Sequence, residues 1–189
     1  MITSQEIVIA GFGGQGVLSM GQLLAYAAML EGKEVSWMPS YGPEMRGGTA
    51  NCIVIVSDSR ISSPILSKFD SAIVLNQPSL DKFVNSVRPG GFLLYERSSI
   101  ISPPKRTDIE VVHIAAIEEA HRLTSKQVAN VVLLGAFLER RPIVDPKNVI
   151  SALKEVLPSH RQHLLPINEQ ALVRGRELVL EALSESVSR

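Results

Sequence analysis

A glycine-rich segment directly after a short apolar run is the feature that most constrains the fold of this chain. The apolar run covers residues 7–10, Ile-Val-Ile-Ala, and the glycines that follow it are Gly11, Gly13 and Gly16. A buried parallel strand is typically an uninterrupted apolar run of this kind. Glycines with the G-x-G-x-x-G spacing permit a tight turn and bring backbone N–H groups close to an anion at the start of a helix. The segment therefore predicts a strand, a turn and a helix over 17–30, as in nucleotide-binding α/β units.

The second predicted strand does not support a dinucleotide site. Binding of NAD or FAD usually uses an acidic residue at the carboxyl end of this strand, where it bonds the ribose hydroxyls. The strand is predicted over 34–38, and its carboxylate, Glu34, stands at the opposite end. Two interpretations of the glycine turn stay open. It either only packs the strand against the helix, or it meets a phosphate-bearing ligand or a partner chain.

A second glycine-rich segment covers residues 40–48, Ser-Tyr-Gly-Pro-Glu-Met-Arg-Gly-Gly. Its glycines and its proline exclude a helix or a central strand. We expect a shaped loop at the carboxyl edge of a parallel sheet, where open α/β folds bind their ligands. Arg46 offers a planar set of donors that suits phosphate or carboxylate, and Glu44 either orients it or is solvated. The alternative is a surface loop with an ordinary ion pair.

Together the two segments resemble the gamma subunit of 2-oxoacid:ferredoxin oxidoreductases. Further similarity lies at 54–58, at 130–135 and around Asn168 and Gly175, so the resemblance covers nearly the whole chain. The second segment reads Glu-Met-Arg-Gly-Gly, whereas pyruvate-type gamma subunits tend to have Glu-Arg-Arg-Gly-Ala. This difference favours the 2-oxoglutarate or branched-chain type, and 2-oxoglutarate is the expected substrate.

The resemblance implies a subunit that carries none of the catalytic cofactors. Enzymes of this family oxidatively decarboxylate a 2-oxoacid, form an acyl-CoA and reduce ferredoxin. Their thiamine diphosphate lies between the alpha and beta subunits, and their iron–sulfur clusters lie on the beta and ferredoxin-like delta chains. We expect the present chain to complete such an assembly, to help position coenzyme A, and to provide no catalytic residue and no metal ligand. The residues expected to face coenzyme A or partner chains are Gly11, Gly13, Gly14, Gln15, Gly16, Tyr41, Arg46 and Gly47.

Two other functions stay open at this point. The chain could be a free-standing Rossmann-type reductase that binds a nicotinamide or flavin, or a purely structural subunit without ligand contact. As a subunit it should be inactive alone, expose apolar surface at the glycine-rich edge and around 128–138, and self-associate when isolated.

The composition agrees with an intracellular subunit. Nineteen basic residues balance nineteen acidic ones, so no strong field favours nucleic acid or an anionic membrane. No apolar run approaches the ~20 residues that cross a bilayer. The single cysteine, Cys52, lies in an apolar run and is predicted to be buried and unreactive, whereas a cubane cluster normally takes about four thiolates. We expect one cytoplasmic domain over 1–189.

The remaining patterns predict a Rossmann-like, doubly wound and mostly parallel sheet with a helical C-terminal part packed on it. Segment 128–138 is apolar on nearly every face, which indicates a central helix or one covered by a partner, and Asn130 within it needs a hydrogen-bond partner if it is buried. A turn is predicted at Pro89-Gly90-Gly91. The other predicted elements are strands at 71–75, 92–95 and 110–114, and helices at 78–87, 117–122, 126–140, 146–157 and 168–184.

Overall fold

A mixed sheet lies at the centre of the computed structural model, which describes residues 3–40, 49–123 and 126–187. The strands are β1 (Ser4–Phe12), β2 (Glu34–Ser40), β3 (Thr49–Ser57), β4 (Phe69–Val74), β5 (Val87–Glu96) and β6 (Glu110–Ile114). The helices are α1 (Val17–Leu30), α2 (Gln77–Phe83), α3 (Ala116–Arg122), α4 (Ala129–Arg140), α5 (Pro146–Val156) and α6 (Leu165–Val187). None of these described helices is both long and apolar enough to cross a bilayer.

The strand order, β2-β3-β1-β4-β5-β6, confirms the mostly parallel sheet. Strand β3 runs antiparallel to both of its neighbours, and the other adjacent pairs are parallel. From β1 the chain builds one half of the sheet with β2 and β3, and then the other half from β4 onward. The strand order therefore reverses between β1 and β4, which is where open α/β sheets bind their ligands.

The two faces of β1 contribute to two separate cores. Ile7 and Ile9 point into the larger core, which includes α1, α4 and α6, whereas Val8 and Ala10 point into a smaller core with α2. All four side chains are fully buried. Burial on both faces explains why this strand is an uninterrupted apolar run rather than an alternating one.

Helix α4 lies between the sheet and α6, which confirms the central-helix interpretation of segment 128–138. Its side chains from Val131 onward to Leu138 are buried by the chain itself, so the apolar surface expected there is wrong. The two helices approach so closely that a Cβ atom on Gly175 would overlap the carbonyl oxygen of Val132, and one on Gly135 would overlap that of Leu172. Glycine at both positions is therefore a requirement of the helix contact.

Strand β5 differs from the prediction because it begins at Val87 and continues through Pro89-Gly90-Gly91. The turn predicted there is wrong. The extra residues are absorbed where the register between β4 and β5 shifts, between Phe69 and Ser71. Gly90 adopts φ 75°, and its N–H donates to the carbonyl of Asp108 at 2.7 Å. A proline and two glycines thus form an irregularity within a strand. Helix α2, which precedes this strand, ends at Phe83 rather than at the predicted residue 87.

Cys52 lies in β3 and is fully buried beneath α1, as the sequence predicts. Its thiol donates to the carbonyl of Val17, with 3.6 Å between Sγ and oxygen. Burial raises the pKa of this thiol to about 12, because the thiolate would lose its hydration.

We expect Cys52 to resist thiol reagents in the folded protein. At pH 8 its labelling should be roughly a hundredfold or more slower than that of the unfolded chain, since the thiolate is the reacting form. Labelling with a chromogenic disulfide, with and without denaturant, checks this. Fast stoichiometric labelling of the native protein would show that this part of β3 opens to solvent.

Candidate functional site

A cleft of about 670 Å³ opens where the strand order reverses. It lies at the carboxyl ends of β1 and β4, and its walls are the glycine turn, the first turn of α1, and the ends of α4, α5 and α6 that face the turn. Leu23, Leu153 and Leu157 are among its apolar lining residues, and Gly14, Gln15, Gly16, Ser19 and Asn130 are among its polar ones. The volume is within the range of small-molecule sites.

The glycine turn leads directly into α1. Gly11 is still part of β1, and Gly13 and Gly14 are exposed at the turn. Gly16 precedes the first residue of α1 and is left-handed, with φ 75° and ψ 19°. Among the described residues no side chain caps this helix end, and its first turn contains no acidic residue. The first N–H groups of α1 are thus available to an anion, which the helix dipole also favours.

The side chain of Gln15 bridges the ends of β1 and β4. Its Oε1 accepts from the Phe12 N–H at 2.6 Å and from Asn76 Nδ2 at 3.4 Å, while its Nε2 donates to the Leu75 carbonyl at 3.4 Å. Both ends of the carboxamide are therefore engaged within the chain. In this arrangement Gln15 holds the turn closed, and the backbone of the turn is what faces the cleft.

Asn130 is buried at the start of α4 and reaches the glycine turn from the other side. Its Nδ2 donates to the carbonyl of Gly16 at 3.2 Å, and its Oδ1 accepts from the N–H of Val131 at 3.0 Å. The hydrogen-bond partner predicted for Asn130 is thus confirmed. A Cβ atom on Gly16 would lie 2.5 Å from this Nδ2, so a side chain at position 16 would displace Asn130.

Glu96 is a buried carboxylate at the cleft that the sequence analysis missed. It stands at the carboxyl end of β5 with no exposed surface. One oxygen accepts from Ser98 Oγ at 2.8 Å and from the Ser99 N–H at 2.9 Å, and the other from the Ile117 N–H at 3.4 Å. In the sequence, the one feature that points to this residue is a carboxylate at the end of an apolar run. These donors show that Glu96 joins the end of β5 to the start of α3.

The charged groups of the cleft favour an anion. Arg161 and His121 line it and are exposed, and Glu96 is the only acidic side chain among the described lining residues. Because Glu96 is enclosed by its own donors, the accessible charge is that of Arg161 together with the dipole of α1.

The second glycine-rich segment, with Tyr41, Arg46 and Gly47, lies outside the described residues. The strands that flank it are described. Ser40 pairs with Asn51, and Thr49 pairs with Phe12 at the end of β1. Both flanking strand ends therefore lie at the same edge of the sheet as the glycine turn.

Comparison with known proteins identifies the family of this fold. Residues 6–178 match the family model described as pyruvate ferredoxin/flavodoxin oxidoreductase. Ketoisovalerate oxidoreductase subunit VorA of Methanothermobacter thermautotrophicus is 45% identical over 177 residues, which are 93% of this chain and 36% of VorA. The 2-oxoglutarate synthase subunit KorC of Methanothermobacter marburgensis is 31% identical over 184 residues, which are 94% of this chain and 97% of KorC. The chain thus spans about a third of VorA and nearly all of KorC.

A solved structure agrees in fold and in extent. The gamma subunit of a keto/oxoacid ferredoxin oxidoreductase from Geobacter sulfurreducens superimposes with a TM-score of 0.81 at 29% identity, covering 94% of this chain and 99% of that one. The chain belongs to the pyruvate ferredoxin/flavodoxin oxidoreductase family and corresponds to its keto/oxoacid ferredoxin oxidoreductase gamma subunits.

Proposed function

We propose that this chain acts within an enzyme that oxidatively decarboxylates a 2-oxoacid, forms an acyl-CoA and reduces ferredoxin, and that its part is to help position coenzyme A. The observation that carries the proposal is the N-terminus of α1, which no described side chain caps and which opens with the glycine turn into a cleft at the reversal of strand order. A phosphate group suits this position because it accepts hydrogen bonds from several N–H groups and carries negative charge.

The contacts with coenzyme A divide between backbone and side chain. Gly13, Gly14 and Gly16 supply backbone N–H groups, and Gln15 keeps the turn in shape. Arg46 and Tyr41 belong to the segment whose flanking strands end beside the turn, and a guanidinium binds a phosphate through two parallel hydrogen bonds. Gly11 leaves room for the side chains of Gln15, Val17 and Leu75, which a Cβ atom there would meet, and so supports the shape of the turn. Gly47 belongs to the second glycine-rich segment and is a further proposed contact of coenzyme A.

The reactive cofactors belong to partner chains in this proposal. The sequence has one cysteine, which is buried and accounts for no cluster that needs several thiolates. Alpha and beta subunits would hold the thiamine diphosphate, and beta and ferredoxin-like delta chains the iron–sulfur clusters that pass electrons to ferredoxin.

Two classes of 2-oxoacid have support. KorC, which is 31% identical, belongs to a 2-oxoglutarate synthase, and VorA, which is 45% identical, to a ketoisovalerate oxidoreductase. We propose 2-oxoglutarate, with a branched-chain 2-oxoacid as the second candidate. Turnover of the assembled enzyme with each acid at matched concentrations decides between them.

The isolated chain should be colourless and catalytically inactive. With 2-oxoglutarate or ketoisovalerate, coenzyme A and a viologen acceptor, it should give no turnover, whereas the same assay with the co-expressed alpha, beta and delta chains should. Turnover or an iron–sulfur absorption band from the purified chain alone would contradict the proposal. A nicotinamide or flavin that co-purifies with it would favour a free-standing reductase instead.

A further inference from the structure

Asn130 joins two elements that are far apart in sequence at the point where the glycine turn becomes α1. The carbonyl of Gly16 accepts two hydrogen bonds, one from the Met20 N–H at 2.9 Å and one from Asn130 Nδ2 at 3.2 Å. The first belongs to the helix itself. The second comes from a side chain that is 8% exposed and stands on another helix.

The hydrogen bond from Asn130, together with that from the Met20 N–H, fixes the orientation of one peptide group. In a trans peptide, the C=O of one residue and the N–H of the next point in opposite directions. Holding the Gly16 carbonyl toward α4 therefore aims the Val17 N–H away from α4. In the described part of the chain no side chain caps α1, so the Val17 N–H is oriented only through its peptide group.

The helix that carries Asn130 is itself held in place. The glycines at 135 and 175 let the backbones of α4 and α6 meet, and interiors packed this closely change position only at a cost in free energy. Asn130 thus transmits the position of a rigid helix pair to the glycine turn.

We propose that Asn130 is a positioning residue for anion binding by this subunit. It holds the peptide group between Gly16 and Val17 so that the N–H groups at the start of α1 keep the orientation that a phosphate requires, and it acts without contacting the phosphate. The identity of that phosphate, as part of coenzyme A, rests on the function proposed above.

Asn168 provides a matched control. It is 7% exposed, lies in the first turn of α6 and lines the same cleft, and its Nδ2 donates to a carbonyl, that of Leu164, at 2.7 Å. Its hydrogen bond stays within its own segment and does not reach the glycine turn. Replacing either asparagine by aspartate keeps the shape, removes the donor and adds the same charge.

The first measurement is coenzyme A saturation of the assembled enzyme. Asn130→Asp should raise the apparent KM for coenzyme A about fivefold or more, because a hydrogen bond is lost and a carboxylate faces a carbonyl. The kcat at saturating coenzyme A and the KM for the 2-oxoacid of Asn130→Asp should stay within about twofold. Asn168→Asp adds the same charge to the cleft but keeps the bond to Gly16, so it shows the effect of the charge alone, and it should raise the KM for coenzyme A clearly less than Asn130→Asp does. If Asn130→Asp does not assemble, Asn130→Ser, which adds no charge, replaces it in the comparison.

The second measurement is amide hydrogen exchange over residues 13–20 without coenzyme A. Exchange should be faster in Asn130→Asp than in wild type and unchanged in Asn168→Asp. Equal increases of the coenzyme A KM in the two variants, equal changes of exchange in the two variants, or unchanged exchange in Asn130→Asp would overturn the inference. If exchange responds as expected but neither Asn130→Asp nor Arg46→Ala alters coenzyme A saturation, Asn130 still positions the turn and it is the assignment of coenzyme A that fails.

Discussion

Gly175→Ala should lower the free energy of unfolding by about 2–3 kcal/mol, although alanine is the better helix former. A methyl group at this position would overlap the carbonyl oxygen of Val132, and the backbone of α4 cannot move aside as a side chain could. The contact is reciprocal, so Gly135→Ala should have a similar effect through the carbonyl of Leu172. Urea unfolding of the purified chain, followed by circular dichroism, measures the difference.

Val173→Ala is the matched control for the contact between α4 and α6. Val173 lies on the same helix but is 56% exposed, so its replacement should change the stability by no more than about 0.5 kcal/mol. If Gly175→Ala is as stable as wild type, the two helices are farther apart than the structure shows. In that case the rigid support attributed to Asn130 is also lost.

Arg46→Ala should raise the apparent KM for coenzyme A about tenfold or more in the assembled enzyme. A charge-assisted hydrogen bond is worth roughly 1.5–3 kcal/mol, and each 1.4 kcal/mol changes affinity about tenfold. The KM for the 2-oxoacid should stay nearly unchanged. Arg46→Lys should restore only part of the loss, because an ammonium lacks the planar fork of a guanidinium.

Arg176→Ala is the control for the loss of one positive charge that Arg46→Ala causes. Arg176 is exposed on α6, pairs with Glu139 and does not line the cleft, so its removal deletes one positive charge elsewhere. It should leave coenzyme A saturation unchanged. A variant at Arg46 that no longer co-purifies with its partners would make Arg46 an interface residue, and unchanged saturation in an intact complex would favour a purely structural subunit.

The sequence predicts the elements of this fold best where burial is uniform. Residues 7–10 are apolar and fully buried, and segment 128–138 is apolar except for Asn130, with nearly all of its side chains buried. A turn is predicted at Pro89-Gly90-Gly91, where the structure has a strand, because proline and glycine normally interrupt a strand. Here a shift in register lets β5 continue through them, and that shift depends on the pairing with β4, which local sequence does not reveal.

The candidate site is predictable only in part, for a related reason. The glycine spacing locates the turn, but the roles of Gln15 and Asn130 depend on contacts with Leu75 and Gly16, which are distant from them in sequence. Glu96 was overlooked because a carboxylate in a sequence is assumed to be solvated, and its donors become visible only when β5 and α3 are placed together. Long-range hydrogen bonds of this kind leave little trace in composition or periodicity.

The antiparallel strand β3 has a consequence for how this family could change its specificity. A parallel crossover returns the chain through a helix to the opposite edge of the sheet. Strands β2 and β3 instead pair as an antiparallel hairpin, so the connection between them begins and ends at the sheet edge where β1 ends. The residues between them, 41–48, thus join two neighbouring strand ends. Such a connection can be lengthened at little cost, about 0.6 kcal/mol for each doubling. Substitutions or insertions in residues 41–48 could therefore change ligand preference without changing the sheet or its buried helices.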